Sequence, residues 1–225
     1  MIKAVLFDMD GTLLDTERLS RAAWSRALDA MGICIDKEQM FREISGMNIK
    51  GIRSFCLQRY GEKFPFDELR ARRHAYMVEM IETDPTLRKE GVPEIFYAFK
   101  DMGIKLAVAS SSSELWVRKC LGCAGVDITL FDAFMTGEKV ERSKPDPEIF
   151  LRAAEMLDLS PEDCVVAEDS YNGVKAGHAA GMKTVMIPDL QPMTDAFAPL
   201  LWARIDSLEE LPALIEKFNL ESENT

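Results

Sequence analysis

The amino-acid sequence predicts an α/β fold, in which a doubly wound parallel sheet carries helices on both faces and a helical cap is inserted after the first strand. Short apolar runs alternate along the chain with amphipathic helical patterns, as they do when a crossover helix follows each parallel strand. The apolar runs carry Val, Ile, Leu and Ala at successive positions, which is typical of strands buried on both faces. The segment 16–85 interrupts this alternation, because it contains helical patterns and no convincing strand.

Five apolar runs are candidate strands. The clearer runs are residues 3–7, 105–109 and 164–167, and the weaker ones are residues 133–136 and 183–187. Asp8, Ser110 and Glu168 directly follow the three clearer runs. Because the carboxyl ends of parallel strands meet at one edge of a sheet, we expect these polar side chains to lie together at the edge of a Rossmann-like core.

Helical patterns separate the candidate strands and begin and end at recognisable signals. Pro93 precedes one helical pattern and Gly103 closes it, and a run of serines able to cap a helix precedes another. The predicted helices outside the insert are residues 94–102, 114–121, 146–157, 174–180 and 208–218.

The insert is predicted to be all-helical. Apolar residues recur at helical spacing from Leu19 to Met31, and again within residues 49–60 and 66–81. We therefore predict two domains, namely an α/β core formed by residues 1–15 and 86–225 and a helical cap formed by residues 16–85.

The charge balance excludes some classes of partner. Among the 225 residues, 27 Lys and Arg face 38 Asp and Glu, which gives a formal net charge of −11. Such a chain is poorly suited to bind a nucleic acid polymer or an anionic membrane surface, because both attract cations. The N-terminal apolar run is too short for a signal peptide, and no stretch approaches the roughly 18 apolar residues of a membrane span. We expect a cytoplasmic protein that binds neither a nucleic acid polymer nor a membrane.

The five cysteines do not resemble a disulfide framework, because their number is odd and their positions are scattered. Cys120 and Cys123 form a C-x-x-C pair, but no second Cys or His pair lies at zinc-site spacing. We favour a structural role for this pair over metal or redox chemistry.

Polar residues at the predicted strand ends carry the candidate chemistry. They are Asp8 and Asp10 after the first strand, Ser110 after the second, Lys144 in a loop, and Glu168 and Asp169 after the fourth. Carboxylates that converge repel one another, and a hard divalent cation such as Mg²⁺ relieves that repulsion. The remaining ammonium and hydroxyl groups suit an anion beside the metal, and phosphate fits best.

Four motifs in sequence order identify a family. Residues 8–15 read D-M-D-G-T-L-L-D, which resembles the first motif of the haloacid dehalogenase-like superfamily. Ser110, Lys144 within S-K-P-D-P, and the string Glu168-Asp169-Ser170 followed by Asn172-Gly173 resemble the other three motifs. The resemblance spans essentially the whole chain.

This resemblance implies roles for the aspartates and for glutamate. Asp8 resembles the family's nucleophile, and Asp10 resembles its general acid and base. Mg²⁺ would be held by Asp8, by Asp169 and by Asp10 through its backbone carbonyl, with Glu168 either a further ligand or a group that orients the ligands.

The same resemblance implies a phosphate-binding set. Lys144 would neutralise the phosphoryl oxygens, and Ser110 would donate a hydrogen bond to one of them. Backbone N–H groups near Ser111 and Ser112 would add to this cradle at a helix start. Asn172 would contact phosphate or substrate, or would stabilise a turn, and the two roles are equally supported.

The helical insert resembles the small cap of the subfamily that includes β-phosphoglucomutase and many small-molecule phosphatases. We expect a Mg²⁺-dependent phosphatase that hydrolyses a small phosphorylated metabolite, such as a sugar phosphate or a nucleotide, and we expect a monomer. A phosphosugar mutase is the alternative. Aligned from Asp8, the mutases' cap His falls at Ser20 and their phosphate-binding Arg falls at Ile49, just after residues 45–48. The absence of that Arg removes a charge-assisted contact with the second phosphate group and therefore favours hydrolysis. Arg53 or the cluster Arg70, Arg72 and Arg73 could compensate for it.

Overall fold

The chain forms two compact units. The computed structural model describes residues 1–44, 47, 49–189, 194 and 196–223. One unit comprises Met1–Asp15 with Pro85–Thr225, and the other comprises Thr16–Asp84.

A six-stranded parallel sheet forms the centre of the larger unit. Its strands are β1 (Ala4–Phe7), β2 (Lys105–Ser110), β3 (Ala133–Thr136), β4 (Cys164–Glu168), β5 (Lys183–Met186) and β6 (Ala203–Arg204). The order across the sheet is β3-β2-β1-β4-β5-β6, and every neighbouring pair is parallel. The predicted fold class is confirmed. The sequence analysis missed β6, because two residues are too few to carry a strand pattern.

The smaller unit consists of four helices in the part of the chain that the structure describes: α1 (Thr16–Ala30), α2 (Lys37–Ile44), α3 (Ile49–Tyr60) and α4 (Phe66–Thr83). Their apolar faces share a buried cluster that includes Trp24, Leu28, Met40 and Phe66. The Trp24 and Phe66 rings pack 6.0 Å apart, so Trp24 serves the core of this unit. Helix α2 was not predicted, although Met40 reaches the cluster from it.

Helices of the larger unit cover both faces of the sheet. They are α5 (Glu94–Asp101), α6 (Glu114–Cys123), α7 (Glu148–Met156), α8 (Tyr171–Ala179) and α9 (Leu211–Glu223). Neighbouring strand residues point to opposite faces, so Leu6 packs among the buried residues of α7 and α8 whereas Phe7 packs on Phe96 and Phe99 of α5. The doubly wound arrangement follows from this alternation. None of the described helices is both long and apolar enough to cross a membrane.

We expect Phe99→Ala to lower the free energy of unfolding by about 3–5 kcal/mol, because the ring is fully buried and its loss leaves a cavity beside Phe7. Tyr97 lies on the same helix but is 52% exposed, so Tyr97→Ala should cost less than about 0.5 kcal/mol. Urea denaturation of the two variants measures both values. Equal losses would show that this face of the sheet is not packed as described.

Candidate functional site

The candidate site lies at the carboxyl ends of the central strands. Phe7, the last residue of β1, pairs with Val108 of β2 and with Ala167 of β4. Asp8 follows Phe7, and its backbone N–H donates to the Ala167 carbonyl at 3.0 Å. The chain builds β2 and β3 on one side of β1 and β4 to β6 on the other, so Asp8 stands at the point where the winding reverses. Open α/β sheets bind ligands at such a point.

Lys144 joins three strand ends through one ammonium group. Its Nζ lies 2.6 Å from Asp8 Oδ1, 2.6 Å from Glu168 Oε1 and 3.0 Å from the backbone oxygen of Ala109. A lysine ammonium has three donors, so these contacts use all of them. The side chain is 6% exposed, and the Phe150 ring lies 4.8 Å beneath the charge. Burial would lower the pKa of Lys144, but the carboxylates of Asp8 and Glu168 raise it above its ordinary value, so the ammonium stays charged.

Glu168 uses both of its carboxylate oxygens inside the protein. Oε1 contacts Lys144, and Oε2 accepts hydrogen bonds from the backbone N–H groups of Asp169 and Ser170 and from the Ser170 hydroxyl, at 2.9–3.0 Å. The Ser170 hydroxyl in turn accepts from the N–H of Gly173 at the start of α8. Of the two roles that the sequence left open for Glu168, these contacts favour orientation of neighbouring groups over direct binding of a metal ion.

Asp8 and Asp169 form a buried pair of acids. Burial raises the pKa of Asp8 to about 8, and the neighbouring carboxylates of Glu168 and Asp10 act in the same direction against Lys144. Burial also raises the pKa of Asp169 well above its ordinary value, and the charges of Glu168 and Asp8 add to that effect. A single ammonium therefore does not balance the negative charge that these acids carry when ionised.

A close approach of the backbone places Asp169 beside the first strand. Thr12 donates its hydroxyl to Asp169 Oδ1 at 3.1 Å. Gly11 has a φ of +90°, and a Cβ on it would overlap the Asp169 carboxyl group. Glycine is needed there for both reasons, since a larger residue would be strained and would displace the acid.

The donor set fits a small hard cation. Within the described part of the chain, no three His, Cys, Asp or Glu side chains already surround a common cation position. Mg²⁺ is commonly held by one or two carboxylates and keeps several waters, so Asp8 and Asp169 match the number of carboxylates that it uses. Burial, and secondly the neighbouring carboxylates, raise the pKa of both acids, and a divalent cation would favour their ionised forms.

Asp10 contacts the serine loop that follows β2. Its Oδ2 accepts hydrogen bonds from the hydroxyls of Ser112 at 2.9 Å and Ser110 at 3.4 Å. Ser110 is fully buried, and its hydroxyl oxygen also accepts the backbone N–H of Ser112 at 3.1 Å. The predicted phosphate-binding serine is thus placed next to the predicted acid and base. The Ser112 hydroxyl was missed by the sequence analysis, although the run of serines was the available signal.

Ser111 directly follows β2, and Asn172 lies in α8, the helix that follows β4. Ser111 is exposed, and its backbone oxygen lies so close to Gly137 that a Cβ on Gly137 would overlap it. Asn172 is half-buried in the first turn of α8, one turn from Glu168 and Asp169 along the chain. Their predicted roles toward phosphate stay predictions.

The cysteines carry no disulfide. All five are free thiols, and Cys120 is buried in α6 whereas Cys123 is exposed. Burial raises the pKa of Cys120, which keeps it in the thiol form rather than the thiolate that metal and redox chemistry require.

Three of the four arginines that could replace the missing phosphate-binding Arg contact other polar side chains of the helical unit. Arg53 pairs with Asp67 at 3.4 Å and Arg72 pairs with Glu68 at 2.8 Å. Arg73 donates to the hydroxyl of Ser20 at 2.6 Å. Ile49 is 37% exposed and Arg70 is exposed, whereas Ser45, Gly46 and Asn48 lie outside the described residues. Two of the four arginines are thus already paired with a carboxylate.

Comparisons with known proteins place these features in a family. The model of the haloacid dehalogenase-like hydrolases matches residues 2–181. Hexitol phosphatase B of Escherichia coli is 33% identical over 94% of this chain and 95% of its own length. Beta-phosphoglucomutase of Bacillus subtilis is 30% identical over 87% of each chain. The crystal structure of a CbbY mutant from Rhodobacter sphaeroides in complex with xylulose-(1,5)-bisphosphate is similar with a TM-score of 0.79, at 28% identity over 94% of this chain and 96% of that one.

We expect Gly173→Ala to lower the free energy of unfolding by about 1–3 kcal/mol, because the new Cβ would overlap the Glu168 carboxyl group and displace it from Lys144. Gly122→Ala is the matched control. It also lies in a helix but has nothing within 4 Å of the added carbon, so it should stabilise the protein by up to about 1 kcal/mol. Chemical denaturation compares the two, and a stabilising effect at Gly173 would contradict the close packing described for Glu168.

Proposed function

Because the chain belongs to the haloacid dehalogenase-like hydrolases, we propose that it is a Mg²⁺-dependent phosphatase that hydrolyses a small phosphomonoester through an aspartyl-phosphate intermediate. The observation that carries the proposal is the bridge of Lys144 between Asp8 and Glu168, with Asp10 placed two residues after Asp8. This arrangement provides a carboxylate nucleophile, a fixed cation and a second carboxyl group at one sheet edge.

Asp8 would act as the nucleophile. One carboxylate oxygen attacks phosphorus, and the bond from phosphorus to the leaving oxygen breaks as the new bond forms. Lys144 stays charged beside Asp8 and would balance the negative charge of the phosphoryl group as it is transferred. The buried hydroxyl of Ser110 and the backbone N–H groups around Ser111 would complete the cradle for the phosphoryl oxygens.

Asp10 would move the protons. In the first step its carboxyl group gives a proton to the leaving alcohol oxygen, and in the second it accepts a proton from the water that attacks the aspartyl phosphate. Hydrolysis then releases inorganic phosphate and regenerates the Asp8 carboxylate. Residues i and i+2 of an extended chain face the same side, which lets Asp8 and Asp10 serve one substrate.

The carboxylates of Asp8 and Asp169 would hold Mg²⁺, with the backbone carbonyl of Asp10 as the third protein ligand. The ion would supply positive charge to the phosphoryl oxygens and to the nucleophile. Glu168 and Thr12 would keep the site in place, Glu168 through Lys144 and Thr12 through Asp169.

We infer a phosphorylated sugar or sugar alcohol as the substrate. One relative is named a hexitol phosphatase, and a solved structure of similar fold holds xylulose-(1,5)-bisphosphate. These two relatives support the sugar phosphate over the nucleotide, which the sequence analysis left open.

We expect Asp8→Asn to abolish turnover of p-nitrophenyl phosphate, because an amide cannot attack phosphorus to form the intermediate. The fold should persist, since the substitution keeps the shape of the side chain. Asp163→Asn is the matched control, because Asp163 pairs with Lys3 on the protein surface, at 2.7 Å, and should leave turnover unchanged. Phosphate release is the measurement, with circular dichroism to verify folding. Full activity in Asp8→Asn would refute the nucleophilic role.

We expect Mg²⁺ to raise the melting temperature of the metal-free protein more at about pH 8 than at about pH 6, because the ion must displace the proton that the raised pKa of Asp8 retains. The raised pKa of Asp8 also sets how the stability of the metal-free protein changes with pH. As the pH rises from the ordinary value of an aspartate to about 8, the folded protein binds more protons than the unfolded chain, so metal-free stability falls. Asp8→Asn should weaken this pH dependence. An equal thermal shift at both pH values would contradict the assignment of Asp8 as a ligand.

The mutase is a second candidate, because the chain is 30% identical to a beta-phosphoglucomutase. A mutase must hold a phosphate group at each end of its substrate, and the position equivalent to its cap Arg is Ile49 here. We therefore expect incubation with a hexose 1-phosphate to release free phosphate, detected colorimetrically. Formation of the 6-phosphate isomer without free phosphate, detected by NMR, would establish the mutase instead.

A further inference from the structure

Ser112 makes a contact that the proposed mechanism does not use. Its hydroxyl donates to Asp10 Oδ2 at 2.9 Å, which is shorter than the 3.4 Å contact from Ser110 to the same oxygen. One hydroxyl ends β2 and the other lies two residues later, and both converge on a single carboxylate oxygen. A hydrogen bond to an ionised carboxylate is stronger than one between neutral groups, so the shorter contact restrains the rotation of the Asp10 carboxyl group.

The loop that carries Ser112 is itself held in place. The backbone N–H of Gly137, just after β3, donates to the Ser112 carbonyl at 3.0 Å, and a Cβ on Gly137 would overlap the preceding carbonyl oxygen. At the next residue of the chain, the Ser113 hydroxyl accepts a hydrogen bond from the N–H of Trp116 and caps α6. The position of Ser112 therefore does not depend on Asp10.

The backbone of Asp10 is equally well fixed. Asp10 and Leu14 form a β-bridge, and the N–H of Gly11 donates to the Leu14 carbonyl at 2.8 Å. Because both backbones are held, the hydrogen bond between Ser112 and Asp10 selects one orientation of the acid rather than moving the loop.

We propose that Ser112 is a positioning residue that holds the Asp10 carboxyl group in the orientation for proton transfer to the leaving oxygen. This inference rests on the proposed function, in which Asp10 is the general acid and base. The hydroxyl keeps its own proton and donates a hydrogen bond to Oδ2. The transferred proton passes from Asp10 to the leaving oxygen as the bond to phosphorus breaks, and Asp10 recovers it from water in the second step.

The identity of the leaving group separates this role from a contact with phosphate. A sugar or other alkyl alkoxide is a poor leaving group and needs the proton, whereas p-nitrophenolate departs readily without one. Loss of a group that positions the acid should therefore slow alkyl phosphates far more than aryl phosphates. Loss of a phosphate contact should weaken the binding of both substrates and of inorganic phosphate.

The test measures steady-state hydrolysis of a hexitol phosphate and of p-nitrophenyl phosphate by the wild type, Ser112→Ala, Ser112→Thr and Ser113→Ala. We expect Ser112→Ala to lower kcat at least ~10-fold for the hexitol phosphate and less than ~3-fold for the aryl phosphate, with KM and inhibition by inorganic phosphate unchanged. Ser112→Thr keeps the hydroxyl and should restore most of the lost rate. Ser113→Ala removes only the helix cap and should leave the ratio of the two rates unchanged.

Two results would overturn the inference. Equal loss of kcat for both substrates would assign Ser112 a purely structural role, and weaker inhibition by inorganic phosphate would assign it to phosphate binding. If Ser112→Ala does not fold, as judged by its melting curve, Ser112→Thr decides. A ratio of hexitol phosphate rate to aryl phosphate rate equal to that of the wild type supports the inference, and a lower ratio argues against it. A wild-type protein that hydrolyses neither substrate would instead refute the proposed function, so the two failures are distinguishable.

Discussion

The contact of Lys144 with Asp8 and Glu168 is the interaction on which the site depends. Isolating three charged groups from water is costly, and the cost is acceptable only when each group meets an opposite charge or a hydrogen-bond partner. Lys144 satisfies that condition with two carboxylates and one backbone carbonyl, and Glu168 satisfies it with the ammonium and three further donors. Burial and the neighbouring carboxylates raise the pKa of Asp8 and Asp169. The ion pairs and hydrogen bonds of Lys144 and Glu168 thus surround two buried acids, which suits the divalent cation of the proposed function.

The parallel sheet makes this concentration of charge possible. Asp8, Ser110 and Glu168 are far apart in the chain, but the register of β1 with β2 and β4 brings their strand ends to one edge. Glycines then allow the backbone to pass close to the carboxyl groups. Gly11 lets the first loop pass beside Asp169, and Gly173 lets α8 begin against Glu168, where any Cβ would overlap a carboxyl group. These two motif glycines therefore leave room for the carboxyl groups of Asp169 and Glu168.

The acids at this edge are held in two different ways. Glu168 is fixed by an ion pair with Lys144 through Oε1 and by donors at the start of α8 through Oε2. Asp10 is held by hydroxyl groups of the loop after β2. A hydroxyl restrains the orientation of a carboxyl group without adding a charge beside it, which suits the acid of the proposed mechanism. The serines thus hold Asp10, and in the proposed function they would also contact the substrate.

The sequence by itself determined most of the elements and the candidate site residues. Its apolar runs predicted β1 to β5, since a strand buried on both faces must be apolar throughout, and its helical spacing predicted most of the insert. The roles of Asp8, Lys144 and Asp169 were predicted because the four motifs resemble those of the haloacid dehalogenase-like family. Only the tertiary structure decided the hydrogen-bond partners of Glu168 and of Ser112, because these partners are distant in the chain or lie in a run of several equivalent serines. Periodicity records which face of an element is buried, whereas the direction of a single polar side chain is decided by the neighbours that folding brings to it.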